Sequence, residues 1–121
     1  AGDTQVQERI AAAVNGIDEM EALLFRNFDA MMALAEAGQP VPVEDRVRYR
    51  YHASLVISKS IAIVDSLFEV AGGQSVFLGS EIQQRFLDIH TARAHVANNP
   101  TSFARNLGGV DLGMDNGDYF V

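Results

Sequence analysis

From Thr4 to Ala37 the chain runs 34 residues with no proline and a single glycine. Apolar residues recur through it at Ile10, Val14, Ile17, Leu24, Phe28, Met31 and Ala35, in the steps of three, four and seven that place side chains on one face of an α-helix. Thr4 followed by Gln7 has the form of a capping box, in which hydroxyl and amide satisfy free backbone N–H groups at a helix start. Gly38 and the Pro40–Val41–Pro42 stretch end the segment, because proline lacks the donor and restricts the residue before it. At 1.5 Å per residue such a helix is about 50 Å long. A chain of 121 residues cannot cover it alone, so the stripe implies oligomerisation or packing against a domain that this sequence does not contain.

A second stretch, Val43 to Ala71, also lacks glycine and proline and closes on Gly72–Gly73. Its centre is β-branched, and Ile57, Lys59, Ile61 and Ile63 alternate as in a strand. Length decides for helix, since a strand usually spans about 5 to 6 residues. After a Gly-rich connection from Gly72 to Gly79, a second capping box (Ser80, Gln83) opens a helix expected to reach about Asn98, with Ile82, Phe86, Ile89 and Val96 on its apolar face. Asn99–Pro100 reads as an N-cap followed by proline at the first helical position, opening a short helix that ends near Gly108–Gly109. The remainder, to Tyr119–Phe120–Val121, reads as an extended tail whose end docks on an apolar surface. The expected fold is all-α: one antiparallel helical bundle over residues 1–121, with three long helices, a short fourth and the tail.

Composition narrows the partners. Nine Lys and Arg against 16 Asp and Glu give a net charge of −7, which opposes nucleic acid and anionic membrane surfaces. There is no cysteine for disulfides or thiolate metal sites, and a cytoplasmic location is the weak expectation. No apolar run approaches the roughly 18 residues that span a bilayer. The start, Ala1–Gly2–Asp3, has neither a signal-peptide pattern nor an initiator Met, as in a processed chain or a piece of a longer one.

Five features bear on chemistry. On the third helix Glu81, Arg85, Asp88, Ala92 and His95 fall along one stripe beside the apolar face, where half-buried groups influence one another's protonation. An ordinary solvated face with an Arg85–Asp88 ion pair has the same spacing. His90 and His95 point about 140° apart at 100° per residue, which excludes the i,i+4 histidine pair of a helical zinc site, and no metal is expected. His52 is expected to be structural. The glycines of Ala71–Gly72–Gly73–Gln74–Ser75 offer bare N–H groups that a cofactor phosphate can approach, although paired glycines there are usually a helix cap. The acidic tail Asp111, Asp115, Asn116, Gly117, Asp118 lacks EF-hand spacing.

The ordered set Phe68-Glu69-Val70-Ala71-Gly72-Gly73, then Arg85 and Asp88, then His90 and His95, resembles the C-terminal helical domain of the acyl-CoA dehydrogenase superfamily. The resemblance covers roughly Val43 to Asn106. It implies that Gly72, Gly73, Gln74 and Arg85 help bind a flavin. Two departures matter. Val96 stands where the dehydrogenases that carry their base on this domain have a Glu, and Leu87 stands where a second Arg is usual. Without that carboxylate the α-proton of an acyl-CoA has no base from this segment.

The His-rich version of the helix, with His90, Thr91 and His95, is similar instead to the two-component flavin-dependent monooxygenases of the hydroxyphenylacetate and dibenzothiophene type. In those enzymes reduced FAD or FMN from a separate flavin reductase reacts with O₂, and a small aromatic or polyketide-like compound is hydroxylated. The resemblance implies His95 as the catalytic imidazole, with His90 a weaker candidate, and a homo-oligomer arranged as a dimer of dimers. Two alternatives stand beside it: an acyl-CoA dehydrogenase or oxidase with its base elsewhere, and a non-catalytic oligomerising bundle.

Overall fold

The computed structural model describes residues 4–71 and 81–118. They form four α-helices: α1 (Thr4–Glu36), α2 (Val43–Val70), α3 (Glu81–Ala92) and α4 (Pro100–Asp111), with a single 3₁₀ turn over Val96–Asn98. α1 closes as the Gly38 signal requires. Gly38 takes a φ of 68°, and the N–H groups of Gly38 and Gln39 return to the carbonyls of Ala35 and Leu34 at 3.0 and 2.8 Å, the double bond of a left-handed glycine cap.

α2 is the axis of the molecule, and the extensive helix contacts are all made with it. Pairs from α1 and α2 run in opposite senses. Arg9 donates to the Ser66 carbonyl and pairs with Glu69, a Cβ at Gly16 would lie 3.1 Å from the Ile63 side chain, and Asn27 meets His52. The helices are therefore antiparallel, and Gly16 marks their close approach. α3 returns along α2 in the same way. Phe68 and Phe86 stack with ring centroids 4.5 Å apart, and His90 Nε2 meets Asp65 Oδ1 at 2.7 Å. α4 is held by Phe103, 7 % exposed, whose ring lies 4.6 Å beneath the Arg50 guanidinium of α2.

The bundle matches the expected class, and its third helix is shorter than expected. α3 stops at Ala92 because its last carbonyls are taken up locally. The Asn98 side-chain amide donates to the Ala92 carbonyl at 2.8 Å, and Ala94 and His95 close tight i→i+3 turns on Thr91 and Ala92. Asn99 then caps α4, its Oδ1 accepting from the Thr101 N–H at 3.2 Å. α4 runs through Gly108–Gly109 to Asp111. Residues 114–118 have no regular structure but are pinned rather than free, since Asn106 and Asn116 join through their amides at 2.8 Å and Gly117 N–H donates to Asn106. The Tyr119–Phe120–Val121 end lies outside the described residues.

The burial pattern of α1 is informative. Its buried positions are Ala13 and Asn27, whereas Ile10, Val14, Ile17 and Phe28 of the apolar stripe are 44–55 % exposed, with Phe25 and Met32 beside them at 59 %. The helix has two apolar faces, one spent on α2 and one left as an open ridge.

Asn27, 2 % exposed, is a buried polar group in the α1–α2 seam and needs a partner. Its side-chain amide donates to His52 Nδ1 at 2.9 Å, which requires that nitrogen to be unprotonated. Burial of the ring, then the Arg26 and Arg48 guanidiniums, hold the His52 pKa below its ordinary 6.5. Since the unfolded chain takes the proton first, stability is full above about pH 6.5 and falls as the pH drops from there towards the lowered folded value. Denaturant titrations across that interval should show the decline in the native chain, and His52→Gln should flatten it; equal slopes would remove His52 from the effect.

Candidate active site

The turn between α3 and α4 builds a cleft of about 480 Å³ lined by Ser58, Arg93, Ala94, His95, Asn98, Asn99, Pro100 and Thr101. Ser58 comes from α2, Arg93 and His95 from the turn, and Thr101 from the first turn of α4. His95 is therefore not on the Glu81–Arg85–Asp88 stripe. The early end of α3 carries it off that register and into the cleft wall.

The ring of His95 is oriented by its own backbone. Nδ1 accepts the Ala97 N–H at 3.1 Å, so the proton of the neutral imidazole resides on Nε2, the nitrogen left for other partners. Among the described residues no carboxylate lines this cleft. A cleft of about 510 Å³ between α4 and the tail carries Arg50 and Arg105 together with Asp115 and Asp118, charges of both signs.

The other sequence candidates fall in different places. His90 is committed to the α2–α3 seam. Asp65 takes its Nε2, and Phe86 covers its ring with centroids 4.4 Å apart. Arg85 does not pair with Asp88. It lies 3.7 Å from Glu81, with both side chains well exposed, while Asp88 accepts from Gln84 at 2.8 Å. A surface pair at that distance contributes little, so the Arg85 guanidinium is open to an anion. Gly72, Gly73 and Gln74 lie outside the described residues. Val96 is in the 3₁₀ turn.

Arg93, Ser58 and Asp65 were not legible as site residues. Arg93 precedes His95 by two residues and gains meaning only when the helix has stopped. The Asn98–Asn99–Pro100 run was the available signal for that stop, since an amide side chain, a cap and a proline together compete with helix continuation.

Among the described residues no helix is long and apolar enough to cross a membrane. The family model for the acyl-CoA dehydrogenase C-terminal domain matches residues 1–100. The chain is 34 % identical over 119 residues to the flavin-dependent monooxygenase oxygenase subunit HsaA of Mycobacterium tuberculosis, and 26 % identical over 114 residues to the oxygenase component of an FADH₂-dependent resorcinol hydroxylase of a Rhizobium species. These alignments take in 98 % and 91 % of this chain but 30 % and 28 % of the relatives, so the chain spans under a third of their length. Among solved structures, the 3-HSA hydroxylase from Rhodococcus sp. RHA1 superposes with a TM-score of 0.94 at 31 % identity, covering 100 % of this chain and 32 % of that one. The HsaA monooxygenase from M. tuberculosis superposes at 0.92 and 34 % identity, covering 98 % and 31 %. With the family model matched over most of its length and the same bundle found in these enzymes, the chain belongs to the acyl-CoA dehydrogenase C-terminal domain family.

Proposed function

We propose that this chain is the C-terminal part of a reduced-flavin-dependent monooxygenase, the oxygenase component of a two-component system that hydroxylates a small aromatic compound with O₂. The observation that carries this reading is His95. An imidazole with a fixed proton position lines a cleft that has no carboxylate among the described residues, at the point of the chain where a dehydrogenase of this family would need one. The likeness to HsaA and to a resorcinol hydroxylase supports it.

Reduced FAD or FMN, when bound, supplies the electrons that activate O₂. The residues present suit such a group: Arg85 offers an exposed, weakly held guanidinium of the kind that meets a flavin phosphate. His95 orients the substrate oxygen and holds a proton at Nε2, and His90 keeps α3 seated on α2 through Asp65. A separate flavin reductase is the partner this reading requires. The open ridge of α1 supports a homo-oligomer, taken as a dimer of dimers, because a contiguous exposed apolar surface marks an interaction site. A cytoplasmic location belongs to the same reading.

The test uses the complete protein with a reductase, NADH, FAD or FMN, and resorcinol or a related phenol. Hydroxylated product should accumulate in step with O₂ consumed. Anaerobic bleaching of oxidised flavin by an acyl-CoA, with no product from phenols, would replace this reading with the dehydrogenase one.

A further inference from the structure

We propose that the Arg93–His95 cleft is an oxyanion site, in which the Arg93 guanidinium supplies the counter-charge and His95 Nε2–H the directed hydrogen bond. The inference deepens the monooxygenase reading and rests on it for the ligand's identity, but the site's chemistry stands on its lining.

Three observations lead to it. First, the charged lining is one-sided: although acidic residues outnumber basic ones 16 to 9 along the chain, this cleft holds Arg93 and no Asp or Glu. Second, Arg93 lacks the partner that most arginines of the bundle have, and unlike Arg105, whose cleft also carries Asp115 and Asp118, it has no carboxylate in its cleft among the described residues. Arg9 pairs with Glu69, Arg48 with Asp45 and Arg85 with Glu81, and Arg50 lies on Phe103. The Arg93 guanidinium has no hydrogen bond, ion pair or ring contact among the described residues. A guanidinium presents five donors and no acceptor. Third, two of the neighbouring polar groups, His95 and Asn99, have an acceptor occupied and a donor left over, while Asn98 spends its amide N–H on the Ala92 carbonyl. His95 Nδ1 is taken by the Ala97 N–H, and Asn99 Oδ1 by the Thr101 N–H. Nε2–H of His95, the Asn99 amide and the hydroxyls of Ser58 and Thr101 are hydrogen-bond donors available on the wall. An unpaired cation beside the Nε2–H donor, with no carboxylate among the described lining residues, favours an anionic oxygen over a cationic group.

Two molecules of the proposed reaction carry such an oxygen: a phenol bound as its phenolate, its proton released to solvent, and the phosphate of the flavin. The shared chemistry is the oxyanion, and the experiment separates the sources. The complete protein, without reductase, is titrated with 4-nitrophenol, whose ionisation is visible in its absorption spectrum, and separately with FMN and with riboflavin, which lacks the phosphate. Arg93→Gln, Arg93→Lys and His95→Gln are compared with the native protein.

If the cleft takes the phenolate, the native protein binds 4-nitrophenol as its anion at a pH where the free compound is mostly neutral. Arg93→Gln should then weaken binding about tenfold or more and abolish the spectral shift, with Arg93→Lys and His95→Gln retaining part of it. If it takes the phosphate, Arg93→Gln should instead erase the preference for FMN over riboflavin while leaving 4-nitrophenol unaffected. An anion shift and an FMN preference both unchanged in Arg93→Gln, or both absent from the native protein, overturn the oxyanion site. Circular dichroism melts confirm that each variant is folded, which the exposed position of Arg93 favours. Product formation, measured separately with reductase and O₂, decides the monooxygenase reading. Hydroxylation that persists with an unaltered Arg93→Gln titration rejects only the oxyanion site, and anion binding without hydroxylation rejects only the monooxygenase.

Discussion

Replacing His95 with Ala in the complete protein should lower hydroxylated product by about 10²- to 10⁴-fold, the range for a positioned acid, base or hydrogen-bonding group. Reduced flavin should still be consumed, with the missing oxygen appearing as hydrogen peroxide. The native ring is exposed, and among the described residues its one hydrogen bond is from the Ala97 N–H. Water can serve that donor when the ring is gone, so the cost in stability should be within about 0.5 kcal/mol. This separation of effects makes the test clean. An unchanged ratio of product to O₂ consumed, with unchanged melting, would take His95 out of the reaction and leave it a residue of the turn.

Phe103→Ala should have the opposite signature, a loss of the fold around the cleft. The ring is almost fully buried against α2 beneath Arg50, and truncations of this kind cost about 3–5 kcal/mol. The ring is also the surface on which the Arg50 guanidinium lies. Removing it forfeits that cation–π contact as well as opening a cavity, adding about 0.5–1 kcal/mol. Against a typical domain stability of about 5–15 kcal/mol, α4 should detach or the domain unfold. Hydrogen exchange should lose its protection over residues 100–111 first, followed by those of the 3₁₀ turn that lean on α2. A midpoint shift worth less than about 1 kcal/mol would mean that α4 is held by something other than Phe103.

The long helices were legible because their signals are redundant. α1 carries periodicity over its whole length and a glycine cap, and α2 outlasts any strand despite its β-branched centre. The third helix was misjudged at its end for a reason particular to that segment. Apolar spacing through Ile82, Phe86 and Ile89 continues to Val96, but spacing does not report that the Asn98 side chain reaches back to the Ala92 carbonyl. That bond joins residues six apart, and it decides whether His95 belongs to a helix face or a cleft wall. The dyad of Asp65 and His90 was equally out of reach, because it joins two helices through a register fixed only by packing. What the sequence did convey about the site was local: the identity of His95, and the absence of a carboxylate beside it.

The open ridge of α1 also changes how tolerance to mutation should be judged. Ile10, Val14, Ile17, Phe25, Phe28 and Met32 are half exposed in the single chain, where surface substitutions ordinarily change stability by within about 0.5 kcal/mol. Within an assembly that covers the ridge, the same six positions would obey the rules of an interior. Polar replacements there would then be paid in subunit association and concentration dependence rather than in the unfolding of one bundle. A map of permissive sites drawn from the lone chain would thus be inverted along the length of one helix.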